Sequence, residues 1–208
     1  MNRHDGWWGL VFVVGLFVFA AMASLPTAAE SGDSIKAFYS ANRQVIIVQQ
    51  VLEALLVVPL LGFAVAMDRR ARQRRGSRTP WILIAGCALI VVELATNVLA
   101  FALATMADPS PGTMHTLTLI ADLADALLFI AIALFSALAA LAQPTWVRIA
   151  GLLVGAVALI RAFASPMGAT MLDAAAPMLF LVFVGVLSVR MLILADARRS
   201  DSGSSAVG

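Results

Sequence analysis

Six apolar stretches, each near the length needed to cross a bilayer, constrain this 208-residue chain more than any other feature. About 20 consecutive apolar residues are needed to span the hydrocarbon core of a membrane. The stretches lie at 7–25, 44–67, 81–105, 116–142, 147–164 and 177–195. Apolar residues make up 62% of the sequence, whereas soluble domains contain about 45–50%. The sequence therefore predicts an all-α, polytopic membrane protein with six transmembrane helices in one bundle.

The six helices are expected to form one domain at 1–196, followed by a disordered cytoplasmic tail at 197–208. That tail is polar and rich in small residues, a composition typical of disorder. The first stretch exceeds the usual signal-peptide core of about 7–15 residues, so we expect it to be an uncleaved anchor. Pro59 removes one backbone hydrogen bond from the second span and predicts a local kink there. Tryptophans mark the span edges, as in an aromatic belt, at Trp7, Trp8, Trp81 and Trp146.

The arginines predict the orientation. The loop at 68–80, DRRARQRRGSRTP, is the most basic segment, and threading six spans places ten arginines on its side of the membrane. The opposite side carries only Lys36 and Arg43. The chain is expected to be a multi-pass protein of the cell membrane. Since cytoplasmic loops are enriched in Lys and Arg, both of its termini are expected in the cytoplasm. Such a block can also bind anionic lipid, whereas the net charge of +2 gives no reason to expect nucleic acid.

The connectors on the opposite side differ from the basic loop. Residues 35–44, IKAFYSANRQ, predict a short amphipathic helix with Ile35, Phe38 and Tyr39 on one side. Such a helix is either a lid over an outer vestibule or a surface connector. The segment 106–115 is predicted as a turn-rich connector, and Asp173 as a residue that orders the entrance of the last helix.

A polar stripe in the fourth span indicates a functional site. His115, Thr118, Asp122, Asp125 and Phe129 are spaced by 3, 4, 3 and 4 residues, which places them on one face of a helix. A carboxylate within a membrane span is costly, so it usually faces the bundle interior, a partner or water. The two aspartates therefore predict a polar interior.

Other spans supply polar residues at a similar depth. A helix rises about 1.5 Å per residue, so Glu53, Asn97 and Asp125 all lie roughly 12–14 Å from the outer ends of their spans. Glu93 lies about 18 Å deep and Asp122 about 9 Å. Depth matching predicts that these side chains share one outward-facing pocket, although each alone could be a structural contact between helices.

The chemistry of such a pocket favours acid–base roles. Burial and a neighbouring carboxyl both disfavour ionisation, so at least one acid is expected to hold a proton while Arg161 keeps another ionised. The predicted catalytic residues are Glu53, Glu93, Asp125 and Asp122, with Glu53 and Asp125 as first candidates for the acid and Glu93 in reserve. The predicted substrate-binding residues are Gln49, Asn97, Phe101, Phe129, Arg161 and Phe180. Aromatic faces beside an acid suit protonation of an alkene and a carbocation path.

Metal and cofactor sites are poorly supplied. Cys87 is the single cysteine, and His4 and His115 are the only histidines. A disulfide framework within one chain is impossible, and a haem or zinc site lacks ligands. No cofactor and no metal are expected, and the expected partners are a lipophilic small molecule and membrane lipid.

Three segments carry a resemblance to known proteins: IKAFYSANRQ after the first span, the arginine block after the second, and QPTWVRIAGLL between the fourth and fifth. In these features the chain resembles uncharacterised six-helix membrane proteins of actinobacteria. In size, helix count and intramembrane acids it looks, more remotely, like the small integral membrane terpene cyclases. That likeness implies biosynthetic chemistry in which a carboxylic acid protonates an isoprenoid alkene or epoxide, and it assigns no individual residue.

Three functions stay open at this point. The first is an integral membrane enzyme that performs acid-initiated cyclisation of a lipophilic, isoprenoid-type substrate. The second is a small proton-coupled transporter of a lipophilic compound, because a carrier also needs one protonated and one ionised carboxyl. The third is a non-catalytic membrane module.

Overall fold

The computed structural model describes residues 4–75, 79–165 and 172–204, and these residues form seven α-helices and no β-strand. The helices are α1 (His4–Ala20), α2 (Gly32–Leu55), α3 (Val57–Arg75), α4 (Trp81–Thr105), α5 (Pro111–Leu141), α6 (Thr145–Ala164) and α7 (Ala175–Ser204). The predicted all-α class is confirmed. Five segments are long and apolar enough to cross a membrane: Gly32–Gln73, Trp81–Thr105, Pro111–Leu141, Thr145–Ala164 and Ala175–Ala195.

The first helix is shorter than predicted. The expected span was 7–25, but α1 ends at Ala20 after 17 residues, a length of about 26 Å. Its apolar part, Asp5–Phe19, falls below the length of the other five segments. Residues 21–31 form a connector that leads to α2, whose first turn is capped by the Ser31 hydroxyl accepting from the backbone N–H of Ser34 at 3.2 Å.

The predicted second span, 44–67, lies across the junction of two helices. The amphipathic segment 35–44 is not a separate helix, because α2 runs without interruption from Gly32 to Leu55. The helix is interrupted at Leu56, three residues before the predicted kink at Pro59. Proline has no N–H for the carbonyl four residues earlier, and its ring clashes with that carbonyl, so the disturbance falls before the proline itself.

The basic segment 68–80 was predicted as a loop, and this is wrong for its first eight residues. Residues 68–75 continue α3 as helix, and 76–78 lie outside the described residues. Asp68 and Arg72 form an ion pair of 2.8 Å one turn apart, an arrangement that supports a helix beyond its apolar part.

Two further boundaries differ from the predictions. The connector predicted at 106–115 ends at Ser110, whose side chain accepts from the N–H of Thr113 and caps α5, with Pro111 in the first turn. The tail predicted as disordered at 197–208 is helical to Ser204, and 205–208 lie outside the described residues. In both places a helix extends into polar sequence. Once a helix has been nucleated, each added residue gains a backbone hydrogen bond, so a polar segment can extend the helix without an apolar face.

The helices pack as a bundle in which α5 lies between α4 and α6, while α1 lies against α3 and α7. The core is centred on Phe63, Phe135 and Phe180, whose successive ring centroids are 6.3 and 6.4 Å apart. Gly151 and Gly155 permit the close approach of α6 to α5. A Cβ at Gly151 would lie 2.5 Å from the Cβ of Ala140, so the GxxxG spacing serves close packing here.

The bundle has two distinct ends. The connector end carries the turns at 21–31, 106–110 and 172–174, and the arginine end carries residues 69–75 and the start of α6. The polar side chains predicted as a site lie toward the connector end, whereas the aromatic core fills the middle.

Candidate acid–base cavity

A cavity of about 440 Å³ lies inside the bundle near the connector end. Its size falls within the range of roughly 300–1,000 Å³ typical of small-molecule sites. Nine of the ten residues predicted as catalytic or substrate-binding line it: Gln49, Glu53, Glu93, Asn97, Asp122, Asp125, Phe129, Arg161 and Phe180. The prediction that Glu53, Glu93 and Asp125 share one cavity is therefore confirmed as geometry, while their chemical roles stay predictions.

Arg161 is the charged centre of the cavity. Its guanidinium donates to the carboxylate of Asp125, and its Nε lies 3.2 Å from Oδ1 of Asp173. The same guanidinium lies 3.8 Å from the ring centroid of Phe129, a cation–π arrangement. Arg161 is only 8% exposed. Three contacts thus hold one buried cation between two carboxylates and an aromatic face.

Glu53 has a different environment, built from its own helix. The amide of Gln49 donates to Oε1 at 3.0 Å, and the amide of Gln50 donates to Oε2 at 3.3 Å. The spacing of three and four residues places both amides beside the carboxyl on α2. Neutral amide donors orient the carboxyl without supplying a compensating charge.

Glu93 has neither kind of partner. Within the described ranges, no hydrogen-bond donor and no cation contacts its carboxyl, although it lines the same cavity as Glu53 and Asp125. A carboxylate that is removed from water needs a donor or a counter-ion, whereas a protonated carboxyl carries its own donor. Glu93 is therefore the carboxyl best suited to hold a transferable proton.

Two unpaired polar atoms belong to residues that line the cavity. Asn97 Nδ2 and Thr118 Oγ1 are buried and have no hydrogen-bond partner among the residues the structure describes. Buried polar groups are nearly always paired with protein, water or ligand. The cavity wall therefore contains polar groups whose hydrogen-bonding capacity the described residues leave unused.

The connector 21–31 covers the cavity through backbone contacts with α5. The N–H of Ala28 donates to Asp122 Oδ2 at 2.8 Å, and the carbonyl of Ala28 lies 3.0 Å from His115 Nε2. Ala23, Leu25, Pro26 and Thr27 line the cavity. A lid was one of two alternatives for 35–44, and the cavity is covered mainly by the preceding connector, while α2 contributes the buried ring of Tyr39 to the wall. Asp122 holds this cover in place.

Phe101 does not belong to the cavity, contrary to the prediction. Its side chain is 40% exposed on the outside of α4. The inward line of α4 follows Asn97, Ala100 and Ala104, all of which are buried. Phe101 lies about 100° around the helix from Ala100, which turns it away from the interior.

Among the cavity residues missing from the predicted site, three contact its predicted members through their side chains. Asp173 had been interpreted as a helix-entrance residue, but it pairs with Arg161. Gln50 supplies the second amide to Glu53, and Phe12 of α1 packs edge-to-face on Phe180 at 6.3 Å. The spacing Gln50 to Glu53 was visible in the sequence, whereas the other two contacts depend on how distant segments fold together.

Within the described parts of the chain, no group of three or more His, Cys, Asp and Glu side chains is arranged to hold a metal ion. The chain matches no known family model, no curated protein and no solved structure. The cavity itself is therefore the basis on which a function can be argued.

Proposed function

We propose that this protein is an integral membrane enzyme that uses a carboxyl proton to start the cyclisation of a lipophilic, isoprenoid-type substrate. The observation that carries the proposal is the unequal environment of carboxyls around one cavity. Asp125 is paired with Arg161, whereas Glu93 lacks a donor and a cation among the described residues. Acid catalysis needs groups whose environments separate their protonation states.

The roles follow from these contacts. Glu93 donates its proton to an alkene carbon, so that its O–H bond breaks, a C–H bond forms and a carbocation remains on the substrate. Phe12 and Phe180, whose rings line the cavity, stabilise that cation, since the face of Phe129 is already occupied by Arg161. The carboxylate of Glu53, oriented by its two amides, accepts a proton from the cyclised cation. The proton then passes from Glu53 back to Glu93, which line the same cavity, so the substrate is isomerised and no further reactant is consumed.

The test is deuterium incorporation. Membranes containing the protein are incubated in D₂O with all-trans farnesol, and products are analysed by mass spectrometry. Protonation of an alkene carbon places one deuterium on carbon in a cyclised product of otherwise unchanged composition. Membranes without the protein are the control. Absence of any carbon-bound deuterium in the products would remove the enzymatic proposal.

A proton-coupled carrier is the second candidate, and the break at Leu56 favours it. Interrupted helices beside a midplane site are typical of transporters, and the break lies three residues after Glu53. A carrier would move the farnesol probe across vesicle membranes in response to a pH gradient and leave its carbon skeleton free of deuterium. The same preparations thus distinguish the two functions.

We further propose that the chain lies in the cell membrane with six spans, α1 included, and with both termini and the arginine end in the cytoplasm. The excess of arginine at that end supports this orientation. Cys87 is exposed, so it is first replaced by Ser. In that background, Ser110→Cys should react with an impermeant maleimide added to intact cells, and Ser77→Cys should react only after permeabilisation. The reverse pattern would invert the orientation.

A further inference from the structure

A second, larger depression lies on the outside of the bundle along α7. This α7 groove, of about 950 Å³, is bordered by α1 on one side and extends from Met178 past Val182, Gly185 and Val189 to Ile193. The fifteen helical rises between Met178 and Ile193 give it a length of about 22 Å. Val182 and Ile193 are 64% and 63% exposed, so the wall, which is apolar apart from Arg190, is a surface that no part of the described chain covers.

The α7 groove adjoins the acid cavity. Met178 and Leu181 line both spaces, and they are the only residues that do so within the described ranges. Met178 is 40% exposed and Leu181 is 4% exposed. A methionine side chain is unbranched and adapts to its neighbours. The junction between groove and cavity thus consists of one flexible and one buried apolar side chain, with no charge to cross.

The floor of the groove is open at Gly185. A Cβ at this position would meet no atom within 4 Å, whereas a Cβ at Gly9, also on the α1–α7 contact, would lie 2.0 Å from the Ser188 hydroxyl oxygen. Close helix packing therefore explains Gly9 and leaves Gly185 without a packing reason. The missing side chain widens the groove instead.

We propose that the α7 groove holds the apolar chain of an isoprenoid-type bilayer lipid whose reactive end lies in the acid cavity. The inference rests on the proposed function, because that lipid is the substrate, and it adds that the substrate is longer than the cavity. The chain passes between Met178 and Leu181 and lies along α7 through Gly185. Entry is then lateral, from the lipid phase, and burial of apolar chain in the groove contributes binding free energy.

The test uses photolabelling, which does not require turnover. The full chain is reconstituted in phosphatidylcholine vesicles with geranylgeraniol carrying a diazirine at its apolar end, or with geraniol carrying the same group. Trypsin releases residues 162–190 as one peptide, and its fragments locate the label. The long probe should label α7 between Val182 and Val189, whereas the short probe should label cavity residues.

Two variants fill the groove. Gly185→Leu adds a side chain where there is room, and Val182→Trp fills the groove from its exposed rim. Each should reduce labelling of α7 by the long probe about tenfold, because at least two methylene groups lose their buried position. Labelling by the short probe should be unchanged. Gly112→Leu is the matched control, since Gly112 is also open, with Ser110 Oγ at 3.9 Å as its nearest neighbour, and lies outside the groove.

Three outcomes would overturn the inference. Equal labelling of α7 in wild type and both filled variants would mean that the chain lies elsewhere, and short-probe labelling of the cavity would then leave the proposed function standing. No labelling by either probe would overturn both proposals. A dimer in light-scattering measurements that Gly185→Leu converts to a monomer, with unchanged lipid labelling, would identify the groove as a contact between two copies.

Discussion

Two regions of this protein bury carboxyl groups, and they do so in different ways. At the arginine end, Asp68 is 2% exposed, pairs with Arg72 at 2.8 Å and accepts from the backbone N–H of Leu83 at 3.4 Å. Toward the connector end, Glu93 lines a cavity and has no such partner among the described residues. Asp68 thus has a cation and a hydrogen-bond donor within the protein. Glu93 instead faces a cavity that another molecule can occupy.

The partner of Asp68 explains why it is buried. The helix α4 begins after Pro80 without a side-chain cap, and Leu83 lies in its first turn. The first N–H groups of a helix need acceptors, and a negative charge there is favourable. Asp68 therefore acts as the missing cap from a neighbouring helix. Burial of an acid alone therefore does not distinguish a structural carboxyl such as Asp68 from one that faces a cavity.

The largest expected effect is the loss of product formation when Glu93, the carboxyl without a partner, is replaced. Glu93→Gln keeps the shape of the side chain and removes its acidic proton. General acid catalysis contributes about 10²–10⁴-fold, so formation of deuterated product should fall by that amount. The midpoint of thermal unfolding in detergent should change little, since no partner is lost. Activity within a few-fold of wild type in well-folded Glu93→Gln would assign the acid to another residue, and Glu53→Gln and Asp125→Asn would then be compared in the same assay.

The next effect concerns the one buried cation of the cavity described here. Arg161→Met keeps much of the side-chain volume and leaves Asp125 and Asp173 without their cation. Removing one partner of a buried ion pair costs about 3–5 kcal/mol. We expect about 3 kcal/mol, the low end, because the two aspartates keep 37% and 33% of their side-chain exposure. Denaturant or thermal unfolding in detergent measures it.

A rescue variant tests the physical reason. Adding Asp125→Asn and Asp173→Asn to Arg161→Met removes the uncompensated charges and should restore most of the lost stability. If the triple variant is no more stable than Arg161→Met, then stacking on Phe129 and packing explain the loss, and the charge argument fails.

A smaller effect is expected at Asp68, with the opposite signature. Asp68→Asn keeps an acceptor near α4 and loses the ion pair with Arg72. A buried hydrogen bond to a charged group contributes about 1.5–3 kcal/mol, and because an amide oxygen retains part of the cap we expect a loss of about 1–2 kcal/mol in unfolding free energy. Product formed per folded molecule should equal wild type. Loss of activity without loss of stability would contradict the distinction between the two regions.

The sequence could predict which residues meet in the cavity because helix geometry is regular. Similar depths along the spans, together with spacings of three and four, were enough to predict that Glu53, Glu93, Asp122 and Asp125 lie together. Spacing could not predict pairing across helices. That Arg161 selects Asp125 and Asp173, and leaves Glu93 without a partner, depends on the rotation of each helix and on the fold of the 172–174 turn.

Other differences have equally local causes. The prediction for Phe101 was wrong because the depth of a residue along its helix does not determine which face of the helix it occupies. Phe101 lies one residue after Ala100, which is on the inward face. The connector cover was missed because α1 ends at Ala20, earlier than its apolar sequence required. The end of α1 depends on the contacts of the segment that follows it. Here the backbone N–H of Ala28 donates to Asp122, and the carbonyl of Ala28 lies beside the His115 ring.

The smallest effect is expected for the surface ion pair of a third carboxyl, Asp108, at the connector end. Asp108 has a positive φ of 47° and accepts from Lys36 Nζ at 2.6 Å, with its side chain 91% exposed. The hydrogen bond and the charge of Lys36 lower the pKa of Asp108 below its usual value. A lowered pKa in the folded protein stabilises it above the unfolded pKa, and this contribution is lost as pH falls through the folded pKa.

Lys36→Met should therefore reduce the unfolding temperature slightly at pH 7, and the difference from wild type should vanish in acid and in 1 M salt, because exposed pairs are screened. Thermal unfolding between pH 7 and pH 3 measures it. A difference that persists unchanged at pH 3 would show that Lys36 acts through packing of its aliphatic stem, and that an exposed carboxyl in this protein, unlike Asp68 and Glu93, contributes nothing through its charge.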